Sequence, residues 1–276
     1  MPTDTDFQAE KAQRFRALHD GPDLLLLPNP WDAGSARLLE WLGYSALATT
    51  SGGFAATLGR LDGGVTRDEA LAHAAQVVAA TSLPVSADLE NAFADEPAGV
   101  AETVWLAATA GLAGCSVEDY ARREDQPIYD LGLARDRITA AAEAAKGTPG
   151  PLVLTARAEN YLHGRPDLAD TIARLQAYQE AGADVLYAPG LTSLDDIRTL
   201  VSEVDRPVNV LALAGAPGIR ELAAAGVRRV SVGSAFAHAA YGATVQAARE
   251  LREQGSYGFL TLAAEGRAAI RDAFPA

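Results

Sequence analysis

The chain has 276 residues, 49% of them hydrophobic and 21% charged, with a formal net charge of −13. That acidity repels polyanions and excludes nucleic acid and anionic membrane surfaces as partners, and no apolar run nears the roughly 20 residues of a membrane span. One cysteine, Cys115, excludes an intrachain disulfide framework and cysteine-built zinc clusters; together with a polar N-terminus free of targeting features, it predicts a cytoplasmic protein.

In chain order, a helix is expected over 6–20, followed by eight β-rich segments: β1 at 23–28, β2 at 46–50, β3 at 84–90 and β4 at 114–119, then β5 at 152–158, β6 at 184–188, β7 at 207–213 and β8 at 229–233. Amphipathic runs such as TRDEALAHAAQVVAAT and DLADTIARLQAYQEAG lie between them. Gly43, Gly111, Gly182 and Gly226 stand where a helix wants a left-handed residue after its last turn. Pro takes that junction in TSLPVSADLE, PGPLVLTARAE and DRPVNVLAL. Strands alternating with helices predict a parallel sheet, and eight such pairs favour a closed (β/α)₈ TIM barrel over an open doubly wound sheet. PNPWDAGSA after β1 lacks the GxGxxG of a dinucleotide fold. The expectation is one barrel domain over 1–276, with helical sequence left over beyond β8.

Active sites of such barrels lie at the C-terminal strand ends, so inward polar residues there are the informative ones. Alternation puts Ser86, Asp88 and Glu90 on one face of β3, and Ser116 and Glu118 on one face of β4. Thr155, Arg157 and Glu159 share a face of β5, and Asn209 of β7 can point the same way. Four carboxylates facing one interior repel each other and cost several kcal/mol each in desolvation. A hard divalent cation relieves both, and Arg157 offers a fork for a substrate carboxylate. Cys115 falls on the opposite face of β4 from Glu118 and reads as core.

Both lysines, Lys11 and Lys146, lie outside strands, which excludes a Schiff-base aldolase on this barrel. No HExxH motif occurs, and the four histidines are scattered. After β2, Ser51, Gly52 and Gly53 would leave backbone N–H groups open to an anion, and the loop that follows is long, as functional loops are. Asp62 in RLDGG reads, as an isolated signal, as a turn residue.

PNPWDAGSARLLEWLGYSALATTSGG, LGRLDGG, PVSADLE, SVEDY and LTARAEN, in that order, resemble the isocitrate lyase / phosphoenolpyruvate mutase superfamily from about residue 15 to about residue 245. The resemblance implies an Mg²⁺-dependent barrel, with Mn²⁺ as the alternate ion, acting on 2-oxo or 2-hydroxy acids through an enolate-type intermediate. It implies a metal site at Asp88, Glu90 and Glu118. Substrate contacts would come from Trp31, Ser51, Gly52, Gly53, Asp88, Arg157 and Asn209. It raises Asp62 above the turn reading; with Glu118, Arg157, the β5 residue Glu159 and the loop residue Tyr120 as further acid/base or donor candidates, Asp62 completes the expected catalytic set. It further implies a homo-oligomer, a tetramer that exchanges C-terminal helices.

Isocitrate and methylisocitrate lyases carry a cysteine-bearing loop after the fourth strand; here that loop reads YARREDQPIYDLG, without Lys, Cys or His. Phosphonopyruvate-type members place Lys and Asn there, and these are missing too. The expectation is therefore a carbon–carbon lyase or decarboxylase for a small 2-oxo or 2-hydroxy (di)carboxylic acid, and not isocitrate lyase. The alternatives are an enzyme of P–C bonds, and a 2-oxo acid-binding barrel without turnover.

Overall fold

The computed structural model describes residues 4–274. It begins with α1 (Asp4–Asp20), β1 (Leu25–Leu27), α2 (Ala33–Trp41), β2 (Leu47–Ala48), α3 (Ser51–Thr57) and α4 (Arg67–Ala80). Next come β3 (Val85–Asp88), α5 (Pro97–Thr109), β4 (Gly114–Glu118), α6 (Leu131–Gly147), β5 (Val153–Arg157), α7 (Leu168–Glu180), β6 (Val185–Tyr187) and α8 (Leu194–Ser202). The chain finishes with β7 (Val208–Leu211), α9 (Ile219–Ala224), β8 (Arg229–Ser231), α10 (Ala235–Arg249), a π turn (Glu250–Gln254) and α11 (Leu260–Ala273). All eight strands are parallel, in the order β1-β8-β7-β6-β5-β4-β3-β2. The Ala48 N–H donates to the Pro28 carbonyl at 3.1 Å and ties the two ends together. The expected TIM barrel is therefore present. No described helix is long and apolar enough to cross a membrane.

Each expected strand is present but shorter, β7 covering Val208–Leu211 rather than 207–213. The missing ends lie where the chain leaves the ladder for a loop. The four glycines behave as expected, with φ of +87°, +83°, +106° and +87° at Gly43, Gly111, Gly182 and Gly226. One expectation needs correction. The long loop after β2 opens with a helix, α3, whose Thr50 N-cap accepts the Gly53 N–H at 3.3 Å. Gly and Ser are poor helix formers, so the cap and the packing of this turn, not its propensity, make it helical.

Strand parity sorts the side chains into two layers. Val85, Ala87, Cys115, Val117, Leu154, Ala156, Val208 and Val210 face outward into the shell of helices. Cys115 is fully buried there, its thiol pushed up to about 12 by burial. At the closed end of the barrel, Phe15 of α1 packs with Leu25, Leu27, Val153 and Val185. Gly114 makes room for it: a Cβ at that position would come within 2.8 Å of the Phe15 ring. Gln8 fastens α1 by donating to the Leu112 and Gly150 carbonyls at 2.8 and 2.9 Å, and Arg16 pairs with Asp184 at 2.5 Å. The plug leaves the opposite, C-terminal end open.

Beyond β8 the burial stops. Only Ala237 is buried in α10 and no residue in α11, although α11 lies against α2 of the same chain.

Candidate active site

The open end carries the expected residues on the expected faces, and an arginine joins them. Arg157 ends β5, and its guanidinium reaches Asp88 of β3 at 2.9 Å, Glu118 of β4 at 3.0 Å and Glu159 at 2.8 Å. Its ring neighbour is Tyr187 of β6, 5.3 Å away. The three carboxylates outnumber their one cation, and Glu118 and Glu159 are buried, so desolvation works against the ionisation of those two. Burial raises the Glu118 carboxyl well above its usual range, with Arg157 opposing the shift. Burial likewise raises Glu159 to about 7, again against Arg157. Burial alone would lower Arg157, but Glu159, Glu118 and Asp88 hold it above its usual value.

Glu90 sits just past β3 with φ +52°, in close ion pairing with Arg122 from the loop after β4. Arg122 also donates to the Gly63 carbonyl at 3.2 Å, so one side chain links the loops after β2, β3 and β4. Arg122 itself (φ +58°), Ala92 (+59°) and Phe93 (+54°) are left-handed too. Such conformations cost on the order of 1–3 kcal/mol each in non-glycine residues and gather at functional sites.

Two connected cavities open here. One, of about 180 Å³, runs down the barrel past Ser51, Asp88, Arg157, Asn209 and Ser234. The other, of about 460 Å³, is walled by Asp62, Glu90, Glu118, Tyr120, Glu159 and His163. Asp62 lines both while its Oδ1 accepts the Gly63 N–H at 3.0 Å, so it makes a local loop contact and borders the cavities at once. Tyr120 stacks on His163 with centroids 3.7 Å apart, and His163 Nε2 stands 3.7 Å from Glu159 Oε2.

The segment Ser51–Gly53 differs from the open anion cradle expected of it. The Ser51 N–H and hydroxyl both donate to Asp88 Oδ2, at 3.3 and 2.9 Å, and the Gly53 N–H is spent on Thr50. Ser51 lines both cavities; Gly52 and Gly53 stand behind it, buried. A Cβ on Gly52 would lie 2.7 Å from Ser234 Oγ, so that glycine permits close packing. Trp31 lines neither cavity: its carbonyl bonds His73 Nε2 at 2.9 Å and its Cβ backs Gly53. Sequence reading missed Tyr187 and His163. Tyr187 was discoverable, because it shares the inward face of β6 with Val185. His163 lies on a loop, where no periodicity points to a face.

Among the described residues, no three His, Cys, Asp or Glu side chains lie together as a metal cluster. Instead, Arg157 stands between Asp88 and Glu118, and Arg122 covers Glu90. The donor set nevertheless fits a hard divalent cation. It is all carboxylate oxygen, it is short of positive charge, and Glu90 Oε1 is buried without any hydrogen-bond partner.

The phosphoenolpyruvate phosphomutase family profile matches residues 15–252. The chain belongs to the phosphoenolpyruvate phosphomutase family. Among its solved relatives in the phosphoenolpyruvate mutase / isocitrate lyase superfamily is a Burkholderia cenocepacia protein provisionally designated a lyase/mutase. It is 54% identical, with a TM-score of 0.94 over 96% of this chain and 97% of that one. The 2-methylisocitrate lyase of Escherichia coli is 32% identical over 70% of this chain and 67% of its own. An oxaloacetate acetylhydrolase, solved with its product oxalate, is 25% identical with a TM-score of 0.82, covering 91% of this chain and 89% of that one.

Proposed function

We propose that this phosphomutase-family barrel is a divalent-metal-dependent carbon–carbon lyase for a small 2-oxo or 2-hydroxy (di)carboxylic acid. The observation that carries the reading is Arg157 at the end of β5, ringed by Asp88, Glu118 and Glu159 at 2.8–3.0 Å. A guanidinium shared among three acids is primed to exchange one of them for a substrate carboxylate, which it grips in a fork. Asp88, Glu90 and Glu118 would hold Mg²⁺ or Mn²⁺, which when bound supplies Lewis-acid stabilisation of an enolate oxygen.

The chain's own groups do the rest. Ser51 and Asn209 both line the narrower cavity and would fix the orientation of the acid. Cleavage beside a carbonyl leaves the bonding electron pair on carbon as an enolate, and a proton must reach that carbon. Glu159, half-protonated near neutral pH, with His163 and Tyr120 beside it, is the group that can carry the proton. Asp62, which lines both cavities, is a further acid/base candidate at the mouth of the site. Two relatives named for C–C cleavage support this reading over the P–C alternative, as does the missing Lys and Asn of the loop. The reading extends to a cytoplasmic homotetramer, supported by the uncovered C-terminal helices.

The test is steady-state turnover of a panel of 2-oxo and 2-hydroxy dicarboxylates with Mg²⁺, alongside titration calorimetry of the metal. We expect cleavage of at least one member, and loss of both Mg²⁺ heat and turnover in Asp88→Ala with the fold retained. Isocitrate should yield negligible glyoxylate, because the loop offers no thiol and its arginines do not release protons near neutral pH. Unchanged Mg²⁺ affinity in Asp88→Ala would refute the metal site. Phosphate release from phosphonopyruvate would favour the P–C alternative, and binding without turnover of any acid would leave a silent barrel.

A further inference from the structure

The narrower cavity ends on a cation that no carboxylate answers. Arg229 opens β8 on its inward face and is 4% exposed, yet it lines the same cavity as Arg157. Its guanidinium makes three hydrogen bonds: Nε donates to Asn209 Oδ1 at 2.9 Å, Nη2 to Thr155 Oγ1 at 3.1 Å, and Nη1 meets His19 Nε2 at 3.2 Å. A guanidinium has five N–H donors, so two are left over.

All three partners are neutral. His19 Nδ1 lies 2.8 Å from the Phe15 carbonyl, a contact that requires the proton on Nδ1 and leaves Nε2 as an acceptor for Arg229. Burial, with Arg229 beside it, pushes His19 down to about 3, so it stays uncharged. The acids above, Asp88, Glu118 and Glu159, are engaged by Arg157. Burial lowers Arg229 to about 10, which still leaves it charged at neutral pH.

The surroundings are equally unusual. At this level a TIM barrel is ordinarily filled by Val, Ile and Leu. Here Ser86, Ser116, Thr155, Tyr187, Asn209 and Ser231 take those inward positions, at most lightly exposed. A buried charge without a counter-ion is expensive, and a polar cavity beside it gives an anion room to settle. At about 180 Å³ that space is smaller than the roughly 300–1,000 Å³ of drug-sized sites, which suits a small acid.

We infer that Arg229 is the deep anchor of a two-point site that selects dicarboxylates, one carboxylate held at Arg157 and the other at Arg229 beside Asn209 and Ser231. This rests on the lyase reading and narrows it to one substrate class. The spacing suits the assignment. Arg229 binds Thr155, two residues before Arg157 on the same face of β5, hence about 7 Å lower along the strand. A four- or five-carbon dicarboxylate bridges such a gap; its three-carbon monoacid counterpart does not.

Malate and lactate form a matched pair, differing only in the second carboxylate, and both can be titrated calorimetrically in Mg²⁺ buffer. The wild-type protein should bind malate at least tenfold more tightly than lactate. Arg229→Gln should weaken malate tenfold or more while leaving lactate within twofold. Should Arg229→Gln not fold, Ser231→Val fills the space beside the guanidinium without removing its charge, and it too should erase the malate preference. A preference that persists in either folded variant overturns the assignment. Equal wild-type affinities overturn the Arg229 site alone, whereas binding of neither acid sinks the lyase reading along with it.

Discussion

Glu159 is the side chain whose chemistry is most exposed to test. Its carboxyl is 2% exposed and hydrogen-bonded to the Arg157 Nε at 2.8 Å, yet burial still raises it to about 7. As a proton donor it works in the protonated form, present below that value and lost above it. We therefore expect kcat for the cleaved acid to fall as pH rises through about 7. In Glu159→Gln, which keeps the hydrogen-bonding shape but cannot titrate, kcat should drop by about 10²–10⁴-fold and that limb of the profile should vanish. A limb that survives the substitution would assign the proton to another group. Legibility at this scale followed periodicity. Asp88, Glu118 and Arg157 were readable because a strand repeats every second residue. Arg122, which left the strand pattern for a left-handed loop conformation, came to Glu90 only through the fold, and Trp31 sat in a recognisable motif but outside the cavities.

At the scale of elements, α1 is an addition to the barrel that the barrel has come to need. Phe15 is fully buried, wedged against the space left by Gly114, and it closes the end where Leu25, Val153 and Val185 converge. Phe15→Ala should cost about 3–5 kcal/mol of folding stability, read as a lower urea midpoint at unchanged slope. An effect under about 1 kcal/mol would mean that α1 merely rests on the barrel. The eight strands and the helices between them were visible in sequence because their hydrophobic patterns are long and locally consistent. Strand lengths were not, since the chain stays extended past the last ladder bond. Helix α3 was invisible for a different reason: SGGFAAT has the composition of a loop, and only the Thr50 cap and its packed neighbours make it helical.

For the whole molecule, the surface beyond β8 is the unresolved account. Phe236, Tyr241, Val245, Leu251, Tyr257 and Leu260 are 37–64% exposed, and large apolar patches on soluble proteins mark interaction sites. The prediction is a tetramer by multi-angle light scattering at micromolar concentration, and a dissociated species when Tyr241 and Val245 are both replaced by Arg. A wild-type monomer under the same conditions would refute the assembly.

Cys115 makes this molecule its own clock. The only thiol sits in the middle of a central strand, fully covered on its outward face by helices and shifted far from the reactive thiolate. A disulfide reagent can therefore reach it only after that wall has opened, with no engineered probe required. At high reagent concentration the labelling rate should level off at the opening rate of the barrel, and it should rise with urea as global unfolding does. Labelling that instead grew linearly with reagent and ignored urea would reveal a local breach beside β4, a weak seam in an otherwise continuous wall.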